Sequence, residues 1–89
     1  MVKYFQIIHG YDILDTVASY QKAVNVIKEQ MELSCHGGIT YKQVDKVKTT
    51  FTDHTGTKHN AWYITYQYST LYFATYLVIE SMSDKIFVA

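Results

Sequence analysis

The stretch AWYITYQYSTLYFATYLVI, residues 61–79, decides the fold. It holds seven of the chain's fourteen aromatic residues and carries no charge over nineteen positions, so it is either a membrane span or the centre of a sheet. A spanning helix needs about 20 predominantly apolar residues, which the length permits. The composition argues against it. Thr65, Gln67, Ser69, Thr70 and Thr75 interrupt the run, and its tyrosines are spread through the middle instead of forming two interfacial belts.

Alternation fits better. Trp62, Ile64, Tyr66 and Tyr68 fall on one face of a strand, with Tyr63, Thr65 and Gln67 on the other. After a break at Ser69 and Thr70, Leu71, Phe73, Leu77 and Ile79 alternate against Tyr72, Ala74, Tyr76, Val78 and Glu80. Two antiparallel strands are expected, and aromatic and β-branched residues suit them. No membrane contact is expected.

Working outward, residues 2–8 read as a first strand, followed by a turn at His9-Gly10-Tyr11-Asp12. Residues 13–18 fit a short second strand or an extended entry to a helix. Ser19 is placed to cap that helix, since its hydroxyl can accept from an orphan N–H of the first turn. Tyr20, Ala23, Val24, Ile27 and Met31 then form one apolar stripe, with a stop near Ser34 and the Gly37-Gly38 pair.

Residues 41–45 have no clear period and are compatible with a short helical turn. Val47, Thr49 and Phe51 alternate with Lys46, Lys48, Thr50 and Thr52 as a strand. The polar segment 53–60 is a hairpin loop, with Gly56 at the positive-φ position. Residues 81–84 read as a turn and 85–89 as a short closing strand. The expectation is one α+β domain over residues 1–89: a single helix on a mostly antiparallel sheet of four to five strands, in the order β-(β)-α-β-β-β. The helix stripe is the available cover for one sheet face. The expected core is Phe5, Ile7, Val24, Ile27, Met31, Val47, Phe51, Leu71, Phe73, Leu77 and Ile79.

Composition narrows the function classes. Eight Lys balance eight Asp and Glu at a formal net charge of zero, and there is no Arg. Bulk-charge binding to a nucleic-acid backbone and bidentate phosphate recognition are both disfavoured. A single Cys excludes an internal disulfide, and the start MVKYFQIIHGYD has too short an apolar stretch for a signal peptide. A cytoplasmic protein is expected. Carboxylates are scattered singly, and no GxSxG, P-loop or HExxH is present, so no enzyme is expected.

Two constellations remain. The sheet face away from the core is expected to carry Tyr4, Gln6, Lys46, Lys48, Thr50, Tyr63, Thr65, Gln67, Tyr72 and Tyr76. Of these Tyr4, Lys46, Lys48, Tyr63, Gln67, Tyr72 and Tyr76 are the candidate partner contacts. Tyrosine gives a large contact area and is enriched at protein interfaces; the same Tyr/Lys face could stack bases as a nucleotide or single-strand binder. The other constellation is Cys35, His36, His54 and His59. His54 and His59 have an H-x4-H spacing found in tetrahedral zinc sites, with Cys35 or His36 to complete the shell and Asp53 as an oxygen alternative.

In its small size, Lys-only cations and nine tyrosines, with the stretch VASYQKAVNVIKEQM running into the helix, the chain resembles small proteins encoded by phages and mobile elements of low-GC Gram-positive bacteria. Among these it looks most like anti-CRISPR and other anti-defence inhibitors. The resemblance implies a non-enzymatic protein that binds and occludes a host defence effector, such as a CRISPR–Cas nuclease, inside the bacterial cell. The neutral charge then implies contact with a protein surface instead of DNA mimicry.

Overall fold

The computed structural model describes residues 2–34, 40–68 and 70–83. Strands β1 (Val2–His9) and β2 (Asp12–Val17) precede helix α1 (Tyr20–Ser34). Strands β3 (Tyr41–Thr52), β4 (Lys58–Tyr68) and β5 (Tyr72–Ser83) follow. The α+β class and the single helix on an antiparallel sheet are as the sequence predicts, and every pairing is antiparallel. Across the sheet the order is β2-β1-β5-β4-β3, so the first strand pairs with the last and the helix links the two edges.

Several boundaries differ from expectation. Of the two readings of residues 13–18 the short strand is the one found, as β2, whereas residues 41–45 open β3 instead of a helical turn. Residues 81–83 continue β5, because β1 offers partners as far as Ser83. The Gly37-Gly38 stop and the closing strand at 85–89 lie outside the described residues. No helix among the described residues is long and apolar enough to cross a membrane.

The turns follow from local chemistry. Gly10 (φ 64°) closes the β1–β2 hairpin, and Gly56 (φ 86°) sits in the β3–β4 loop, both in the left-handed region that costs other residues a Cβ clash. Ser19 caps α1 as its position predicts: its Oγ accepts from the Lys22 N–H at 3.1 Å. At about 1.5 Å per residue the fifteen-residue helix is about 22 Å long. It buries Ala23, Ile27 and Met31, with Tyr20 and Val24 packed at the margin.

The core lies between α1 and one sheet face, and pairing register settles which residues reach it. Residues directly opposite in an antiparallel pair share a face. Trp62, Ile64, Tyr66 and Tyr68 face the helix, as alternation predicts. Their partners across the β4–β5 ladder are Val78, Tyr76, Ala74 and Tyr72, so these too face the helix. This corrects the sequence reading of β5, which placed Leu71, Phe73, Leu77 and Ile79 under the helix; Ile79 is buried as expected of a core residue, but on the opposite sheet face beside Ala61. Phe73 is 60 % exposed, whereas Tyr76 is 2 % exposed. The Tyr76 hydroxyl donates to Met31 Sδ at 3.6 Å, and no buried side-chain nitrogen or oxygen among the described residues lacks a partner.

A β-bulge makes the second correction. The register of β3 shifts between Gln43 and Asp45, so one extra residue inverts the alternation that follows. Lys46 pairs with Ile64 and Lys48 with Trp62, which puts both lysines on the helix side. Val47, opposite Tyr63, and Phe51, opposite His59, fall on the face away from the helix, not in the core.

Candidate binding surfaces

Among the described residues helix α1 packs on one face of the sheet, over β1 and β2, and leaves the other face open. On that open face Val47 lies beside Tyr63 and Leu77, Thr49 beside Ala61 and Ile79, Asp45 beside Thr65 and Thr75, and Lys42 beside Gln67 and Phe73, while Phe51 lies beside His59. Val47 is 48 % exposed, Phe51 37 %, Tyr63 45 % and Phe73 60 %. On β4 and β5 this face carries hydroxyls and apolar groups, and its formal charges, Lys42 and Asp45, lie on the edge strand β3. This is the composition of an interface centre, which is depleted in charge and rich in aromatics.

The predicted partner residues therefore divide between two faces. Tyr4, Tyr63 and Gln67 lie on the open face. Lys46, Lys48 and Tyr72 lie on the helix side, where Tyr72 stacks on Tyr68 with ring centroids 5.7 Å apart. Tyr76 is in the core, its ring 4.5 Å from that of His9. Burial pushes the phenols of Tyr66 and Tyr76 above the usual range. Sequence reasoning missed Val47, Phe51 and Phe73 as surface residues because hydropathy marks them as core. Only the bulge and the register turn them outward.

A cleft opens at one end of the sheet. Strands β4 and β5 pair from Tyr68 and Tyr72 to Ala61 and Ile79, then part. Beyond that point β4 continues along β3 to Lys58, while β5 continues along β1 to Ser83. The cleft has a volume of about 500 Å³. Two side-chain bridges cross it: Asn60 Nδ2 donates to Glu80 Oε1 at 3.3 Å, and His59 Nδ1 lies 3.3 Å from Ser81 Oγ. The other imidazole nitrogen, Nε2, lies 2.7 Å from Asp53 Oδ2.

The order hydroxyl, imidazole, carboxylate is that of an activated serine. Here its members have structural work. Ser81 is 7 % exposed, near the end of β5 where it pairs with Tyr4 of β1 and borders the cleft. Asp53 Oδ1 accepts from the Thr55 and Thr57 N–H groups at 2.9 and 3.0 Å and from the Thr55 hydroxyl. The carboxylate thus closes the β3–β4 loop as an Asx turn, and His59 ties that loop to β5.

The hydrogen bonds from His59 and Thr55 hold the Asp53 carboxyl far below the usual carboxylate range. The folded value is depressed, so its stabilisation is complete above the unfolded value of about 3.9 and is lost as pH falls through and below it. In thermal melts, Asp53→Asn should lower Tm at pH 7, with the gap from wild type narrowing below about pH 4. A gap that stays constant from neutral to acid pH would contradict this account.

Of the predicted metal ligands, Cys35 and His36 lie outside the described residues. His54 is exposed in the loop, and His59 engages protein partners through both ring nitrogens. Among the described residues no three His, Cys, Asp or Glu side chains gather as a metal-binding group. A zinc ion held by His54 and His59 would have to displace Asp53 or Ser81 from the imidazole.

The helix side carries a second surface. Past the edge of α1, Phe5, Tyr20 and Trp62 enclose a niche of about 220 Å³ with Lys46 and Glu80. The Tyr20 and Trp62 rings meet edge to face at 5.2 Å, and Lys46 Nζ lies 4.6 Å over the Tyr20 ring. Glu80 is held by Asn60 and by Lys3, whose Nζ is 3.8 Å away. Comparison of the chain with protein-family models, with curated proteins and with solved structures found no match.

Proposed function

We propose that this protein is a non-enzymatic binding domain that docks a partner protein on its open sheet face, acting as an inhibitor that occludes a host defence effector such as a CRISPR–Cas nuclease. The observation that carries the reading is the exposed apolar and aromatic set Val47, Phe51, Tyr63 and Phe73, on a face whose charges, Lys42 and Asp45, lie on the edge strand β3. It lies on a five-stranded sheet, in a molecule whose principal extents are 44 × 24 × 20 Å. A stable interface covers about 800 Å² per partner, and a face of these dimensions supplies that much. The partner that fits is a protein surface with an apolar centre and few charges, since buried unpaired charges would be costly against this patch. Size, neutral charge and Lys-only composition support the inhibitor class in the same direction.

The test is phage plaquing on a CRISPR-immune Gram-positive host that expresses the chain. Wild type should restore plaques to a targeted phage, and Tyr63→Glu with Phe73→Glu should abolish the effect while the purified variant melts like wild type. Interference left intact by wild type overturns the inhibitor reading. Full inhibition by the double variant removes the open face as the contact.

A further inference from the structure

The lysines that the bulge turns away from the open face lie together on the helix side. Lys46 and Lys48, two residues apart on one strand face, are separated by about 6.6 Å along β3. Lys48 is the direct cross-strand neighbour of Trp62, and Lys58 lies on the same side at the start of β4, opposite Thr52. All three are exposed, and none has a carboxylate within ion-pairing distance among the described residues. Edge strands use lysine to discourage unwanted strand pairing, which accounts for charge along β3. It does not account for the part-buried Trp62 and Tyr20 that line a niche beside those lysines, because aromatic rings add no protection to an edge.

We infer that this ledge is a second binding site, for a single strand of nucleic acid, with one base seated in the niche of Phe5, Tyr20 and Trp62 and the flanking phosphates on Lys46, Lys48 and Lys58. The niche, at about 220 Å³, is smaller than the roughly 300–1,000 Å³ pockets that enclose whole drug-sized ligands, so it takes a single planar group. Aromatic faces accept any base by stacking, and lysine serves phosphate as a point charge where no arginine fork is available. Glu80, at the niche wall, accepts from the N–H groups of a base edge. The row of lysines extends beyond the niche, which favours a strand over a free nucleotide. The zero net charge of the whole chain does not oppose this, because the three lysines are local and none is ion-paired among the described residues. The site is opposite the open face and stands independently of the protein-docking reading.

Trp62 is the chain's only tryptophan, so its fluorescence reports the niche directly. Oligothymidylate of about 12 nucleotides, within the span of small single-strand sites, should quench it on titration. Three phosphate contacts give a log–log salt slope of about −2, or about 20-fold weaker binding between about 50 and 200 mM salt. Lys46→Ala with Lys48→Ala should reduce the slope to about −0.7 and weaken binding, while Tyr63→Ala on the other face leaves both unchanged. The lysines are exposed, so the variants retain the fold, and their melts check this. Absence of quenching at about 100 μM strand in low salt, or binding indifferent to salt or to the lysine pair, overturns the site. A mononucleotide that quenches as tightly as the strand overturns the strand in favour of a free nucleotide.

Discussion

Tyr76→Ala should lower stability by about 3–5 kcal/mol, the cost of emptying a buried aromatic site, and Tyr63→Ala should change it by about 0.5 kcal/mol or less. The two tyrosines lie on adjacent paired strands, on opposite faces of one sheet. Tyr76 is 2 % exposed and its hydroxyl meets Met31; Tyr63 is 45 % exposed. Removing the Tyr76 ring leaves a void between α1 and β5 that a close-packed interior cannot fully close. With a total stability of about 5–13 kcal/mol expected for a chain of this length, the substitution removes a large share of it. In urea the midpoint should fall by about 2–3 M for Tyr76→Ala and stay nearly fixed for Tyr63→Ala. Tyr76→Phe keeps the ring and loses only the contact with sulfur, so it should cost about 1 kcal/mol. The reverse ranking of Tyr63→Ala and Tyr76→Ala would mean that β5 pairs in a register shifted by one residue.

Ile27→Ala is the second large effect, expected at about 2–5 kcal/mol. α1 is the only helix described, and Ala23, Ile27 and Met31 are its fully buried anchors. A fifteen-residue helix is marginal in water by itself, so α1 exists because its stripe is buried on the sheet. Among the described residues α1 is the helix that covers Ile7, Ile64 and Val78, each buried completely. Helix and sheet should therefore be lost together. Circular dichroism of the helix and fluorescence of Trp62 should report one coincident transition, shifted in the variant. Leu33→Ala, at a position 67 % exposed on the same helix, should shift it little. Two separate transitions, or equal losses at Ile27 and Leu33, would show that the helix is not anchored as described.

Much of this architecture is legible in the residues. The Ser19 cap, the Tyr20–Met31 stripe, the Gly10 turn and the positive φ at Gly56 each express a local preference that the fold keeps. The alternation of Trp62 to Tyr68 also reads correctly, because one side of β4 is consistently the more apolar. β5 and β3 resist the same reading for different reasons. On β5 both faces are apolar enough to be core, and tyrosine, which hydropathy sends outward, is buried at position 76 with its hydroxyl satisfied. On β3 the alternation is clear, but a single bulge reverses its sense relative to the neighbouring strand.

The candidate surfaces divide along the same line. Tyr63 and Gln67 follow from the pattern of β4, whereas Val47, Phe51 and Phe73 face outward only because of their partners. His59 belongs to a loop whose role, a bridge between Asp53 and Ser81, depends on β5 lying alongside after a separation of twenty-two residues. The sequence by itself determined the class of fold, the helix and its anchors, and the turns, because these rest on interactions between residues close in the chain. Tertiary structure alone decided which face of each strand meets the helix. Side chains alternate with a period of two, so one bulge or a one-residue change of register inverts a whole strand, and strand pairing is a long-range choice that local composition does not encode.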